Sequence, residues 1–130
     1  MRFALVITCA PFTHPGAQTA LRFATAALEA GHGLYRVFFY EDGVHTGDAR
    51  VRSTPTETPV PAAWQALARE HGLDLVLCSG SAARRGMLDQ TESDRRQTLG
   101  GSIADGFALA GLGQLLDATL EAERVLWFGP

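Results

Sequence analysis

A chain of 130 residues that is 46% hydrophobic and 19% charged can bury roughly two-thirds of its unfolded surface, and its composition excludes intrinsic disorder. Eleven basic residues against 14 acidic ones leave a formal charge of −3, which excludes the positive footprint needed to wrap nucleic acid. Every basic residue is Arg, so Schiff-base and P-loop lysine chemistry are excluded, and two cysteines with no C-x-x-C pair exclude a disulfide scaffold.

In chain order, residues 3–8 form a continuous apolar run with β-branched members, which predicts a strand buried on both faces. The run is too short for a signal-peptide core, and the expected location is the cytoplasm, with reduced thiols. Pro11, Pro15 and Gly16 predict a loop. Ala20, Leu21, Ala24, Ala27 and Leu28 then recur at helical spacing over 17–30, and Gly31 closes that helix. Residues 34–40 predict a second strand. Residues 41–61 are polar and hold Pro55, Pro59 and Pro61, so they read as an exposed excursion. A helix over 62–71 ends at Gly72, and a strand follows over 73–78. Residues 79–86 read as a helix start, 88–103 as a polar stretch of no clear periodicity, 109–122 as a helix and 124–128 as a last strand. Strands alternating with helices predict a three-layer α/β/α sandwich around a parallel sheet of about five strands, in one domain over 1–130. The longest apolar stretch, 107–116, is broken by Gly111, Gly113 and Gln114, so no membrane span is expected.

Reacting groups in such sheets gather at the carboxyl ends of the strands. Cys78 sits at one of those ends, directly before a helix start. The N–H groups of Ser79, Gly80 and Ser81 and the charges of Arg84 and Arg85 would there support a thiolate or another anion. A small buried hydrophobe ending a core strand is the plain alternative for Cys78. The spacing from Cys78 to Arg84 is also C-x5-R, the anion loop of cysteine phosphatases and of arsenate-reductase-like enzymes, with Asp42 and Asp89 as candidate general acids.

The segments Val37-Phe38-Phe39-Tyr40 with Gly43-Val44, Cys78 followed by Arg84-Arg85-Gly86, Asp89-x-Thr91-Glu92, and Leu109-x-Gly111-Leu112-Gly113 occur in an order that resembles the TusD/DsrE sulfurtransferase subunits. The resemblance runs from the Met1-Arg2-Phe3-Ala4 start to Arg124-Val125. It implies a DsrE-like α/β/α domain and a sulfur relay in which Cys78 accepts sulfane sulfur as a persulfide and passes it on. It further implies a route to tRNA 2-thiouridine (TusD-like) or to dissimilatory sulfur oxidation (DsrE-like). No metal and no organic cofactor are implied, and no direct contact with nucleic acid or membrane. The implied partners are upstream and downstream sulfur carriers and two related smaller subunits (TusB/TusC- or DsrH/DsrF-like) in a heterohexamer. This chain departs from the family's small apolar residues after the cysteine by carrying Ser79-Gly80-Ser81. Cys9 falls where the family has no functional cysteine and reads as structural. The rival readings are the phosphatase-like enzyme and a non-catalytic interaction subunit.

Four histidines, His14, His32, His45 and His71, lack metal-ligand spacing. Glu92, Asp94, Arg95 and Arg96 read as a solvated mixed-charge face, or as a docking rim beside Cys78. Phe107, Leu109 and Leu112 are the residues expected to leave an apolar patch for subunit contact.

Overall fold

The computed structural model describes residues 1–95 and 100–130, without the side chain of Glu92. Five strands, β1 (Arg2–Ile7), β2 (Gly33–Phe39), β3 (Leu75–Cys78), β4 (Phe107–Ala110) and β5 (Arg124–Phe128), form one parallel sheet in the order β4-β3-β2-β1-β5. The helices are α1 (Pro15–Glu29), α2 (Val60–His71), α3 (Ser79–Arg84), α4 (Gln90–Arg95) and α5 (Leu112–Glu121).

Register divides the side chains between two faces. Leu5, Val37, Leu75, Phe107 and Leu126 lie side by side on one face, followed along the strands by Ile7, Phe39, Leu77, Leu109 and Phe128. This face meets α1 and α2: Phe23 of α1 packs edge-on to Phe3, and Trp64 of α2 packs edge-on to Phe39 at 5.7 Å between centroids. Trp64, Phe38 and Phe39 are fully buried and form the centre of the core. The connections from β1 through β4 all step the same way across the sheet, so right-handed crossovers put their helices on this one face. The return from β4 to β5 runs the other way and places α5 alone on the opposite face. Arg36 of β2 anchors it there, donating to the Gln114 carbonyl oxygen and to Asp117, both at 2.9 Å.

Three expectations change. Residues 107–110 form a strand, so the helix predicted from 109 begins at Leu112, with Gly111 as its N-cap. Four residues of Phe, Ala and Leu carry little strand signal of their own, and β4 exists because it completes the ladder of β3. The excursion over 41–61 is not exposed throughout: Glu41–Gly47 is a 3₁₀ helix in which Gly43, Val44, Thr46 and Gly47 are buried while Glu41 and Asp42 stay exposed. An added Cβ would lie 2.1 Å from the Ile7 carbonyl oxygen at Gly43 and 2.5 Å from Leu77 at Gly47, so small residues let this turn close over the sheet. Within 88–103, Leu88 and Ser102 are buried and α4 occupies Gln90–Arg95, while 96–99 lie outside the described residues. No helix among the described residues is long and apolar enough to cross a membrane.

Candidate functional site

Cys78 is the last residue of β3 and the N-cap of α3, with backbone still extended at φ −61°, ψ 118°. The four-residue run Leu75–Cys78 is wholly buried, and Cys78 itself is 4% exposed. Its register partner is Ala110, the last residue of β4. After β3 the chain turns to the face of α1 and α2, and after β4 it crosses to the face of α5. The carboxyl ends of β3 and β4 therefore flank the point where chain direction reverses, the place where open parallel sheets bind their ligands. The first-turn amides of α3 have no acceptor within the helix. A cleft of ≈ 330 Å³ opens beside this turn, lined by Ser79, Gly80, Ala83, Met87, Leu88, Asp89 and Leu109.

The expected supporting residues separate into four placements. Ser79 and Gly80 are exposed and line the cleft. Ser81 is fully buried, and its hydroxyl accepts a hydrogen bond from the Glu41 N–H at 3.1 Å. Arg84 is exposed and stands six residues up a helix, roughly 9 Å along the axis from Cys78 at 1.5 Å per residue. A phosphatase-type loop has to bring this arginine back to the sulfur, and an α-helix carries it away. Arg85 points to the corner after β2. Its Nη2 lies 2.8 Å from Asp42 Oδ1 and 3.7 Å from Glu41 Oε2, its Nε donates to Asp42 at 2.9 Å, and its Nη1 donates to the Ser81 carbonyl oxygen at 3.0 Å. Asp42, a candidate general acid, is thus occupied by Arg85, whereas Asp89 lines the cleft.

Sequence reasoning named Asp42 only as a candidate general acid, and missed Glu41 and the joining of both carboxylates to Arg85. Glu41 has φ 51°, the one positive φ at a non-glycine residue among those described. Holding it there costs on the order of 1 kcal/mol. The available signal was an acidic pair at the carboxyl end of a strand, next in the sheet to the strand that ends in Cys78.

Cys9 follows β1 and is packed shut. An added Cβ at Gly16 would sit 3.1 Å from its sulfur and 2.3 Å from the Gly129 carbonyl oxygen. Burial pushes its thiol up from the ordinary value, with backbone hydrogen bonds at Cys9 and Ala17 pulling partly back. Both cysteines are free thiols. Of the mixed-charge patch, Asp94 accepts a hydrogen bond from Gln90 at 2.8 Å on the exposed surface, while Arg96 and the side chain of Glu92 lie outside the described residues.

The apolar patch differs from the expected one. Phe107 is buried and Leu109 packs against the core. Leu112 remains exposed, and it continues along α5 into Leu116 and Leu120, at i, i+4 and i+8, which are 61% and 74% exposed. Trp127 on β5 is 58% exposed.

Comparison with known proteins places this architecture among relatives. A family model described as the DsrE/DsrF-like family matches residues 1–128. The protein named Sulfurtransferase TusD homolog of Pseudomonas aeruginosa is 43% identical over 129 residues, covering 99% of this chain and 98% of its own length. Sulfurtransferase TusD of Salmonella arizonae is 39% identical over 128 residues, covering 98% of this chain and 100% of its own. The crystal structure of the ychN protein from E. coli superposes with a TM-score of 0.76 over 98% of this chain and 100% of that one; at 24% identity it speaks for the fold alone.

Proposed function

The chain belongs to the DsrE/DsrF-like family, and from that premise we propose that it is a cytoplasmic sulfurtransferase subunit of a sulfur relay, one DsrE-like domain over 1–130 that carries sulfane sulfur on Cys78. The observation that supports this most is the placement of Cys78 at the end of β3, heading α3 beside the reversal point of the sheet. Cys9, packed against Gly16 with its thiol pushed up, has the surroundings of a structural cysteine.

The reaction is sulfur exchange. The Cys78 thiolate attacks the outer sulfur of a donor persulfide, a new S–S bond forms at Cys78, the old one breaks, and the donor leaves as its thiolate. In the second half, an acceptor thiolate attacks the outer sulfur on Cys78 and the Cys78 thiolate is regenerated. Exchange between sulfurs calls for no metal or organic cofactor, since the transferable sulfur arrives already activated. Ser79 and Gly80 lie at the mouth of the site, and the first-turn amides of α3 favour negative charge on the sulfur being displaced. In a TusD-like relay the sulfur goes on to tRNA 2-thiouridine, and in a DsrE-like one it belongs to dissimilatory sulfur oxidation.

The proposed assembly is a heterohexamer with two related smaller subunits. The ridge of Leu112, Leu116 and Leu120, with Trp127 on β5, is the apolar surface that such contacts would cover. Intact mass after incubation with a sulfane-sulfur donor tests the central claim. We expect a gain of one sulfur atom that Cys78→Ser abolishes and Cys9→Ser retains. A gain that survives in Cys78→Ser and disappears in Cys9→Ser overturns the assignment.

A further inference from the structure

Cys78 lies between two supports of unequal strength. On one side is β3, paired with β4 along its length and with β2 over Leu75–Leu77. On the other is α3, whose six residues are too few to be stable as a helix by themselves. Cys78 is 4% exposed, so movement of the turn that follows would widen access to its sulfur; α3 is short, and beyond its buried Ser81 and Ala82 it is held by contacts at the surface.

Two kinds of contact tie α3 to the corner after β2. The Ser81 hydroxyl takes the N–H of Glu41, which is held in the left-handed region. Arg85, at the C-cap of α3, joins the Ser81 carbonyl oxygen to the carboxylates of Asp42 and Glu41. The carboxylates are exposed, with 63% of the Asp42 side chain and 51% of the Glu41 side chain accessible, and Arg85 is 22% accessible. A buried pair would hold rigidly and resist salt. An exposed one is weak and yields to ionic strength.

We infer that Arg85 is a positioning residue and the bolt of a surface latch: its bridge to Asp42 and Glu41 holds α3 down over Cys78, and release of the bridge gives access to the sulfur. This rests on the reading of Cys78 as the sulfur acceptor. It assigns Arg85 a role distinct from direct support of the thiolate, because the guanidinium is engaged by two carboxylates and a carbonyl oxygen.

The test is site-resolved labelling of the native full chain by iodoacetamide, a neutral probe, with Cys9 as internal control. Arg85→Met and Asp42→Asn should each label Cys78 about threefold faster or more. Threefold corresponds to ~0.7 kcal/mol at tenfold per 1.4 kcal/mol, within reach of an exposed ion pair. The double variant should match Arg85→Met alone, since that change already removes the Arg85–Asp42 contact that Asp42→Asn breaks. Arg85→Lys, which keeps the charge but cannot span all three oxygens, should fall between wild type and Arg85→Met. Added salt should speed Cys78 labelling in the wild type and leave Arg85→Met unchanged, a difference that a purely structural role does not produce. Urea midpoints should fall by no more than the equivalent of the same ~0.7 kcal/mol, and Cys9 labelling should stay at its wild-type value. Cys78 labelling that is unchanged or slower in the single variants, additive rates in the double variant, a salt-independent wild type, or Cys9 labelling that rises in step with Cys78 each overturn the latch. Labelling is read without any sulfur donor, so a failed latch leaves the mass-gain result standing, and an absent mass gain leaves the labelling result standing.

Discussion

Gly43 and Asp48 show how single residues close the turn that follows β2. At Gly43 any side chain would enter the Ile7 carbonyl oxygen, 2.1 Å from an added Cβ. Gly43→Ala is therefore expected to lower stability by about 1–3 kcal/mol, the range for forcing a methyl into packed structure, read from urea midpoints. Asp48 is 7% exposed and bridges in antiparallel fashion to Ile103. Burial alone would raise its carboxyl, but the side-chain and backbone hydrogen bonds of Arg50 overcome that and hold it below its ordinary value. A carboxyl depressed on folding stabilises the native state above its unfolded value and loses that contribution as pH falls through the folded one. The relevant window thus lies below the ordinary aspartate value of about 3.9. Urea midpoints measured from pH 5 downward (the range about the ordinary carboxylate value) should fall more steeply in wild type than in Asp48→Asn. Equal slopes would show that Asp48 does not contribute to the acid limb.

At the scale of elements, α5 is held by a polar brace instead of by a deep apolar face. Arg36 Nε lies 2.7 Å from Asp74, its Nη1 donates to Asp117 and to the Gln114 carbonyl oxygen, and the Tyr35 hydroxyl donates to Asp117 at 2.6 Å. Arg36→Met should lower stability by about 1 kcal/mol, because the carboxylates of Asp74 and Asp117 are close to half exposed and regain water when it is removed. A change above about 4 kcal/mol, the scale of a core deletion, would show that the brace is effectively buried. The same elements explain what the sequence disclosed. The strands β1, β2, β3 and β5 and the helices α1 and α2 were legible because apolar period and glycine punctuation coincide there, as at Gly31 (φ +87°) and Gly72 (φ +66°). Strand β4 was not, since Phe-Ala-Leu-Ala followed by Gly111 reads equally as a helix start. The buried 3₁₀ helix was hidden because glycine contacts with Ile7 and Leu77 leave no periodic trace. Cys78 stood out through an apolar run ending at Ser-Gly-Ser. Arg85 meeting Asp42 across 43 positions has no local signature.

Across the whole molecule the two faces of the sheet are covered unequally. Five strands span roughly 19 Å at ~4.8 Å spacing, and one helix of about 10 Å diameter covers about half of that. On that side α5 turns Leu112, Leu116 and Leu120 outward, and Trp127 stands exposed on β5. If the proposed assembly forms through this surface, Leu116→Arg and Trp127→Arg should each abolish co-purification with the proposed partner subunits while leaving the urea midpoint of the lone chain unchanged. Light scattering that reports the proposed hexamer undiminished in either variant would move the contact elsewhere. The sheet order carries a further consequence for how the chain is made. Of the five strands, β1 is made before the other four, and it pairs on one side with β2 and on the other with β5, the one of the five made after the rest. At ~5–20 residues per second, translation leaves one side of β1 unpaired for on the order of ten seconds. During that time the nascent chain presents Leu5, Val6 and Ile7 on an open backbone edge able to pair with any neighbouring strand. A message that stops before Arg124 never closes this edge, so its product is a substrate for chaperones and proteases instead of a shortened working subunit.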